Sequence, residues 1–213
     1  MNIKRKNNMI LMIVIAAAAV FFIAGSTFAY FTDSVDASNK FTVGDISLEL
    51  QEPEWNEDNG KNLVPCQTVK KDPEVINDGV NDAFVFMSVD VPYADIRTAN
   101  EDGTLNSAAD TELFTYEINE GWKEIASEKT DGIIEHVYAY TGDGSDMKKL
   151  KPGEKTPSLF DSVTFANVVE GEVDSNAALD IDVRAYGIQA ENIGNSSAPE
   201  HIWSVLNNSI KPQ

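Results

Sequence analysis

Leu179-Asp180-Ile181-Asp182-Val183-Arg184-Ala185-Tyr186-Gly187-Ile188-Gln189 places Leu179, Ile181, Val183 and Ala185 on one side of an extended chain and Asp180, Asp182 and Arg184 on the other. A period of two is what a strand buried on one face requires, whereas a helix would bring its apolar residues round about every three to four positions. The pattern recurs far upstream, where Ile46, Leu48 and Leu50 alternate with Asp45, Ser47 and Glu49. Residues 83–91 form a denser β stretch that stops at Pro92, residues 133–141 mix apolar and polar positions ahead of Gly142-Asp143-Gly144, and residues 159–169 read as another late strand. Turn chemistry separates these runs at Asn77-Asp78-Gly79, Glu101-Asp102-Gly103 and Lys151-Pro152-Gly153. Short strands punctuated in this way predict an all-β fold, a β-sandwich.

Helical signals are confined to two places. Residues 107–113 suit a turn or two of helix on a long loop, and Ser197-Ala198-Pro199-Glu200 opens a short C-terminal helix with a cap and an early proline, so that Ile202, Trp203, Val205 and Leu206 pack inward. No internal repeat and no low-complexity linker marks a second domain. The reading is therefore one domain over residues 30–213 behind a leader over residues 1–29.

The leader has the three parts of a secretory signal helix. Lys4, Arg5 and Lys6 form a positive start, residues 9–24 are continuously apolar, and Gly25-Ser26-Thr27-Phe28-Ala29 is a small-residue junction at which a peptidase cuts between Ala29 and Tyr30. The rival reading is an uncleaved anchor, because the apolar character runs on to Phe31 and about twenty residues span a hydrocarbon core. A type-IV pilin leader is disfavoured, since the cleavage-like residues follow the apolar run, and residues 209–213 lack the apolar tail that sortase attachment to the wall needs.

Charge narrows the partners. The formal net charge is −19, and it becomes −22 once the leader leaves, because Lys4, Arg5 and Lys6 are the only charges before Tyr30. Such a surface repels phosphate backbones and carries no basic stripe, which excludes nucleic acid as a main partner. Cys66 is the single cysteine, so no intramolecular disulfide forms; its place after Val64-Pro65 suggests a small, partly buried thiol in a turn.

Catalytic patterns are sparse. There is no G-x-S-x-G elbow and no H-E-x-x-H, and the two histidines, His136 in a predicted strand and His201 in the predicted helix, stand 65 positions apart. Asn56-Glu57-Asp58-Asn59 and Asp143-Gly144-Ser145-Asp146 offer oxygens to calcium without EF-hand spacing and read as acidic turns. Trp55, Trp122 and Trp203 would form a carbohydrate platform only on a shared exposed face; core aromatics are the plainer reading. No catalytic residue, cofactor or metal ligand is assigned.

Several segments together resemble the TasA/camelysin family of secreted proteins processed by SipW-type signal peptidases. They are the junction Gly25-Ser26-Thr27-Phe28-Ala29-Tyr30-Phe31-Thr32-Asp33 with Asn39-Lys40-Phe41-Thr42-Val43-Gly44, then Glu52-Pro53-Glu54-Trp55, Lys71-Asp72-Pro73-Glu74-Val75-Ile76-Asn77, Leu150-Lys151-Pro152-Gly153 and Ala185-Tyr186-Gly187-Ile188-Gln189-Ala190. The resemblance spans nearly the whole chain. It implies a jelly-roll-like sandwich that serves in an extracellular matrix or fibre, often in a Gram-positive biofilm, with copies of itself and other matrix components as partners. It also implies, as an alternative, a cell-surface metallopeptidase of camelysin type; a monomeric surface adhesin or binding module is a third reading, independent of the resemblance. Close relatives are expected to carry Gly where Cys66 stands. Cleavage would free residues 30–39, in which Tyr30, Phe31 and Val35 are β-capable, as a candidate donor strand for the open sheet edge of a neighbour.

Overall fold

A computed structural model describes residues 33–36, 41–43, 46–61, 63–100, 102–173, 179–191, 193 and 196–210. The predicted signal helix, Ala29, Tyr30 and Phe31 lie outside the described residues. The described strands are β1 (Asp33–Asp36), β2 (Phe41–Val43), β3 (Ile46–Gln51), β4 (Thr68–Lys70), β5 (Glu74–Asn77), β6 (Ala83–Ile96), β7 (Ala109–Glu112), β8 (Phe114–Thr115), β9 (Gly121–Lys129), β10 (Ile133–Gly142), β11 (Ser162–Phe165) and β12 (Asp182–Gln189). Among the described residues one α-helix, α1 (Pro199–Ile210), follows them. The expected all-β sandwich with a short C-terminal helix is what forms.

The large antiparallel sheet runs β1-β12-β6-β10-β9, and β7 pairs with the far end of β6. Two smaller sheets, β2-β3-β5 and β4-β11-β8, supply the opposing layer. Val85, Met87, Val89 and Val91 of β6, with Tyr138, Tyr140, Val183 and Ala185, meet Ile46, Leu48, Leu50 and Val75 from one small sheet and Val69, Phe114, Val163 and Phe165 from the other. The alternate residues of β6, Phe84 and Phe86, face the opposite way onto Ile202 and Leu206 of α1. Strand β6 is thus covered on both faces, which is why residues 83–91 read as an unbroken apolar run rather than an alternation. Ile202 and Leu206, one helical turn apart and both fully buried, each contribute about 1.5–3 kcal/mol of burial to the docking of α1.

Two sequence expectations are corrected. Pro92 does not stop β6. Tyr93 N donates to Gly132 O at 3.1 Å on the β10 side, so the missing N–H of Pro92 would face the other way, where the β12 ladder has already ended at Asp182 opposite Asp90. Residues 107–113 do not form helix; Ala109–Glu112 is β7, drawn into an extended conformation by antiparallel pairing with Tyr93–Ile96. Helix α1 begins at Pro199 as its fixed φ favours, but the capping position is Ala198, whose carbonyl accepts from Ile202 N at 3.1 Å, while the Ser197 carbonyl is taken by Met147 N at 2.8 Å.

Candidate functional site

The ends of the large sheet are chemically unlike. Strand β9 exposes Lys123, Glu124, Ser127, Glu128 and Lys129, and its pairing slips between Val137 and Tyr138 of β10, leaving Ile125 as an extra residue. Charge and a bulge are what discourage another strand from adding there. At the opposite end β1 lies antiparallel on β12, with Asp33 facing Gly187, Ser34 facing Tyr186, Val35 facing Ala185 and Asp36 facing Arg184. Val35, the one predicted donor residue within the described part, is therefore in a strand on the outer rim of β12. A strand of four residues contributes only a few net hydrogen bonds at about 0.5–1.5 kcal/mol each, little enough to be exchanged.

Gly187, opposite Asp33 on this edge, is also pressed against β3. A Cβ placed on it would lie 2.5 Å from Leu48 Cδ1 and 3.2 Å from Leu48 Cγ, so β3 crosses β12 with no room for a side chain.

The segments that carry the family resemblance meet one another in space. Lys71 Nζ, buried, is 2.7 Å from Glu52 Oε1 and 4.7 Å from the centre of the Trp55 ring, and Glu54 N donates to Asp72 Oδ1 at 2.9 Å. Asn77, fully buried at the end of β5, sends its Nδ2 to Asn81 O and Leu150 O, both at 2.8 Å, and accepts from Gly79 N at 3.0 Å. Its backbone N donates to Glu154 O at 3.0 Å and its carbonyl accepts from Gly153 N at 2.7 Å. Gly153 takes φ +78°, the left-handed conformation that its turn requires. These recurring segments hold the β5 end and the Lys151–Gly153 turn to the sandwich. Their chemistry is that of a clamp.

Cys66 is exposed, against the expectation of a partly buried thiol, and takes φ +63°. The turn that places Cys66 N on Phe165 O at 3.0 Å demands the left-handed region, where glycine would be at ease, and this accounts for the glycine expected there in relatives.

The histidines are kept apart. His201 is exposed on α1, which covers the outer face of the large sheet, whereas His136 alternates with Tyr138 on the inner face. His136 Nδ1 is 2.9 Å from Glu124 Oε1 and its Nε2, 3.4 Å from Glu112 Oε1, has no hydrogen bond. The two carboxylates thus stand at opposite nitrogens of one ring, which orients the imidazole between β9 and β7 but gives no point on which three ligands converge. Among the described residues no three His, Cys, Asp or Glu side chains are grouped as a metal centre needs, and His136 with its two carboxylates does not make the convergent site a catalytic zinc requires. Nearby, Tyr116 and Tyr138 share a hydrogen bond of 2.9 Å. Burial chiefly, with the charges of Glu124 and Glu112, pushes the Tyr138 phenol up to about 12, and burial raises Tyr116 as well, so both stay protonated at neutral pH. Sequence reading could not find this group, because its members come from three strands and a connecting loop.

The tryptophans do not form a platform. Trp122 is buried beside Tyr140, Trp55 lies under Lys71, and Trp203 of α1 packs 5.3 Å from Phe86 and 5.5 Å from Tyr186. Asn56 caps a 3-10 turn, Glu57–Gly60, by accepting from Asp58 N at 2.9 Å, the behaviour of an acidic turn.

The fold and its clamped loops define a β-sandwich of the TasA/camelysin class. The chain belongs to that family: the family model described as camelysin metallo-endopeptidase matches residues 2–131, more than half of the chain and as far as β9. No curated protein and no solved structure matches it.

Proposed function

We infer that the protein is a secreted structural component of a bacterial extracellular matrix, in which copies join through the β12 edge. The observation that carries this reading is the placement of β1. The segment that would begin the mature chain supplies a short rim strand to β12, and its partner register, Asp33 to Gly187 through Asp36 to Arg184, is one that the same segment of another copy can adopt. A strand donated in this way uses backbone hydrogen bonds for affinity and alternate side chains for register. The contact is head to tail, and such a contact propagates unless its rotation closes a ring. The charged rim of β9 favours growth at one end only.

A SipW-type signal peptidase, cutting between Ala29 and Tyr30, frees this segment in the reading, and mass spectrometry of the extracellular protein checks the new N-terminus. Deleting residues 30–38 and comparing filaments by electron microscopy and sedimentation tests the assembly. Loss of filaments from a folded variant is the expected result, and unchanged filaments remove strand donation as the mechanism. The family description supports a second reading, a surface metallopeptidase, which predicts chelator-sensitive cleavage of casein by the purified protein.

A further inference from the structure

One row of carboxylates crosses four neighbouring strands of the large sheet. Asp182 on β12 stands opposite Asp90 on β6, Asp90 opposite Glu135 on β10, and Glu135 opposite Glu128 on β9. Directly opposed residues share a face about 5 Å apart, and like charges placed so are destabilising. This is the face that α1 covers, since Asp90 continues the series begun by Phe84 and Phe86. Among the described residues the guanidinium of Arg184 serves the row: its Nη1 is 2.8 Å from Asp90 Oδ2 and its Nη2 is 3.7 Å from Asp182 Oδ2. Toward the other end the charge of Arg184 still reaches Glu135, but it lies against Asp90 and Asp182, and Glu128 on the exposed rim is one strand further away. Ser88, fully buried on the same face, leans its hydroxyl toward Glu135 without completing a hydrogen bond of ordinary geometry. Burial, then the charge of Asp90, raises the Glu135 acid above its ordinary value.

The unbalanced end of the row borders a cavity of about 210 Å³. Tyr186 and Trp203 wall it, Ala126 and Val137 floor it, and Glu128, Glu135 and Asn207 of α1 supply its polar atoms. At about 30 Å³ for each water, the space takes roughly seven waters, room enough for a lysine side chain. A hard divalent cation would want about six to eight oxygen ligands, more than these three side chains provide. An alkylammonium uses both parts of the site, its methylenes lying along the aromatic faces and its head between the carboxylates.

We propose that this cavity binds a primary alkylammonium group, supplied either by a free alkylamine or by a lysine side chain of a second copy. The probe is n-pentylamine, titrated into the purified, isotopically labelled protein while the Trp203 indole N–H and the Asn207 amide are followed by NMR. Saturable shifts at both are expected, with none from pentanol. Glu128→Gln, a change on the exposed rim that leaves folding intact, weakens binding about two- to fivefold, the worth of a half-exposed ion pair, and Glu128→Gln with Glu135→Gln weakens it further. Absence of a saturable shift, equal shifts from pentanol, unchanged binding in the folded double variant, or preferential saturation by calcium chloride each overturns the proposal. Sedimentation of the protein with and without excess pentylamine separates the sources. Self-association lost on adding amine identifies a lysine of a second copy, and self-association retained identifies a free amine.

Discussion

Asn77→Asp keeps the size and shape of a fully buried side chain and reverses half of its hydrogen bonding. The amide orientation is fixed by its surroundings, two carbonyl acceptors at 2.8 Å, Asn81 O and Leu150 O, and one donor, Gly79 N, at 3.0 Å. A carboxylate retains the bond from Gly79 but sets a negative oxygen against two carbonyl oxygens. The loss of two bonds at about 1 kcal/mol each, together with the cost of a buried charge without a cation, gives a destabilisation of at least about 3 kcal/mol at neutral pH. For a chain of this length, about 1 kcal/mol corresponds to about 2–4 °C in Tm, so the midpoint falls by about 6–12 °C. The charge adds a signature that Asn77→Ala lacks. The folded state holds the new acid above its unfolded value of about 3.9, so the stability deficit is smallest below that pH and grows as pH rises through the raised folded value. Urea denaturation at neutral and acid pH, with Asn77→Ala as the reference, measures both parts. A deficit under about 1 kcal/mol at neutral pH, or one indifferent to acid, would falsify the clamp described for Asn77.

Gly187→Ala sets a methyl against Leu48, which is itself fully buried, and overpacking of this kind costs about 1–3 kcal/mol; combined with Leu48→Ala it should cost less than the sum of the two single changes, and strict additivity in denaturant melts would sink the packing argument. Cys66→Gly relieves a left-handed conformation at φ +63° that costs an L-residue about 1–2 kcal/mol, offset in part by the greater freedom of glycine when unfolded, so a net gain of up to about 1 kcal/mol is expected and a lower Tm contradicts it. Glu135→Gln removes an acid whose folded pKa is raised by burial and then by Asp90; the stability tied to its protonated form is complete below the unfolded value and is lost as pH rises through the folded one, so the advantage of the variant over the parent grows with pH in thermal melts. An advantage that shrinks from acid to neutral pH refutes that assignment.

The period-two reading succeeded where one face of a strand is buried and the other is not. Val183 and Ala185 are buried while Asp182 is exposed, and Ile46, Leu48 and Leu50 enter the core as alternation requires. It failed where neighbours decide. Ser47 is buried despite its polar side chain, β6 runs through Pro92 because the β12 ladder has ended, and β7 is a strand because Tyr93–Ile96 lies beside it. Val35 was legible as β-capable, but the register of its strand on β12 depends on a partner about 150 residues away and has no local signal. His136 between Glu112 and Glu124, and the carboxylate row from Asp182 to Glu128, are likewise products of cross-strand register, which a single sequence does not display. The left-handed φ at Cys66 had no signal in the sequence beyond its place after Val64-Pro65 in a turn.

The position of β12 has a consequence for the order of events in folding. It lies between β1 and β6, although among the described strands it is the last and they are the first and the sixth. Any route that delivers this chain from its N-terminus, through a ribosomal tunnel or a translocation pore, therefore holds β6 with one long side unfilled until the final quarter of the polypeptide arrives. Local hairpins such as β9-β10 form early at small entropic cost, but closing the loop that brings residues 182–189 between 33–36 and 83–96 waits for the end of delivery. A chain that folds late stays threadable while it crosses a pore, and a chain interrupted before β12 presents the unpaired backbone N–H and C=O groups of β6 to whatever strand comes near.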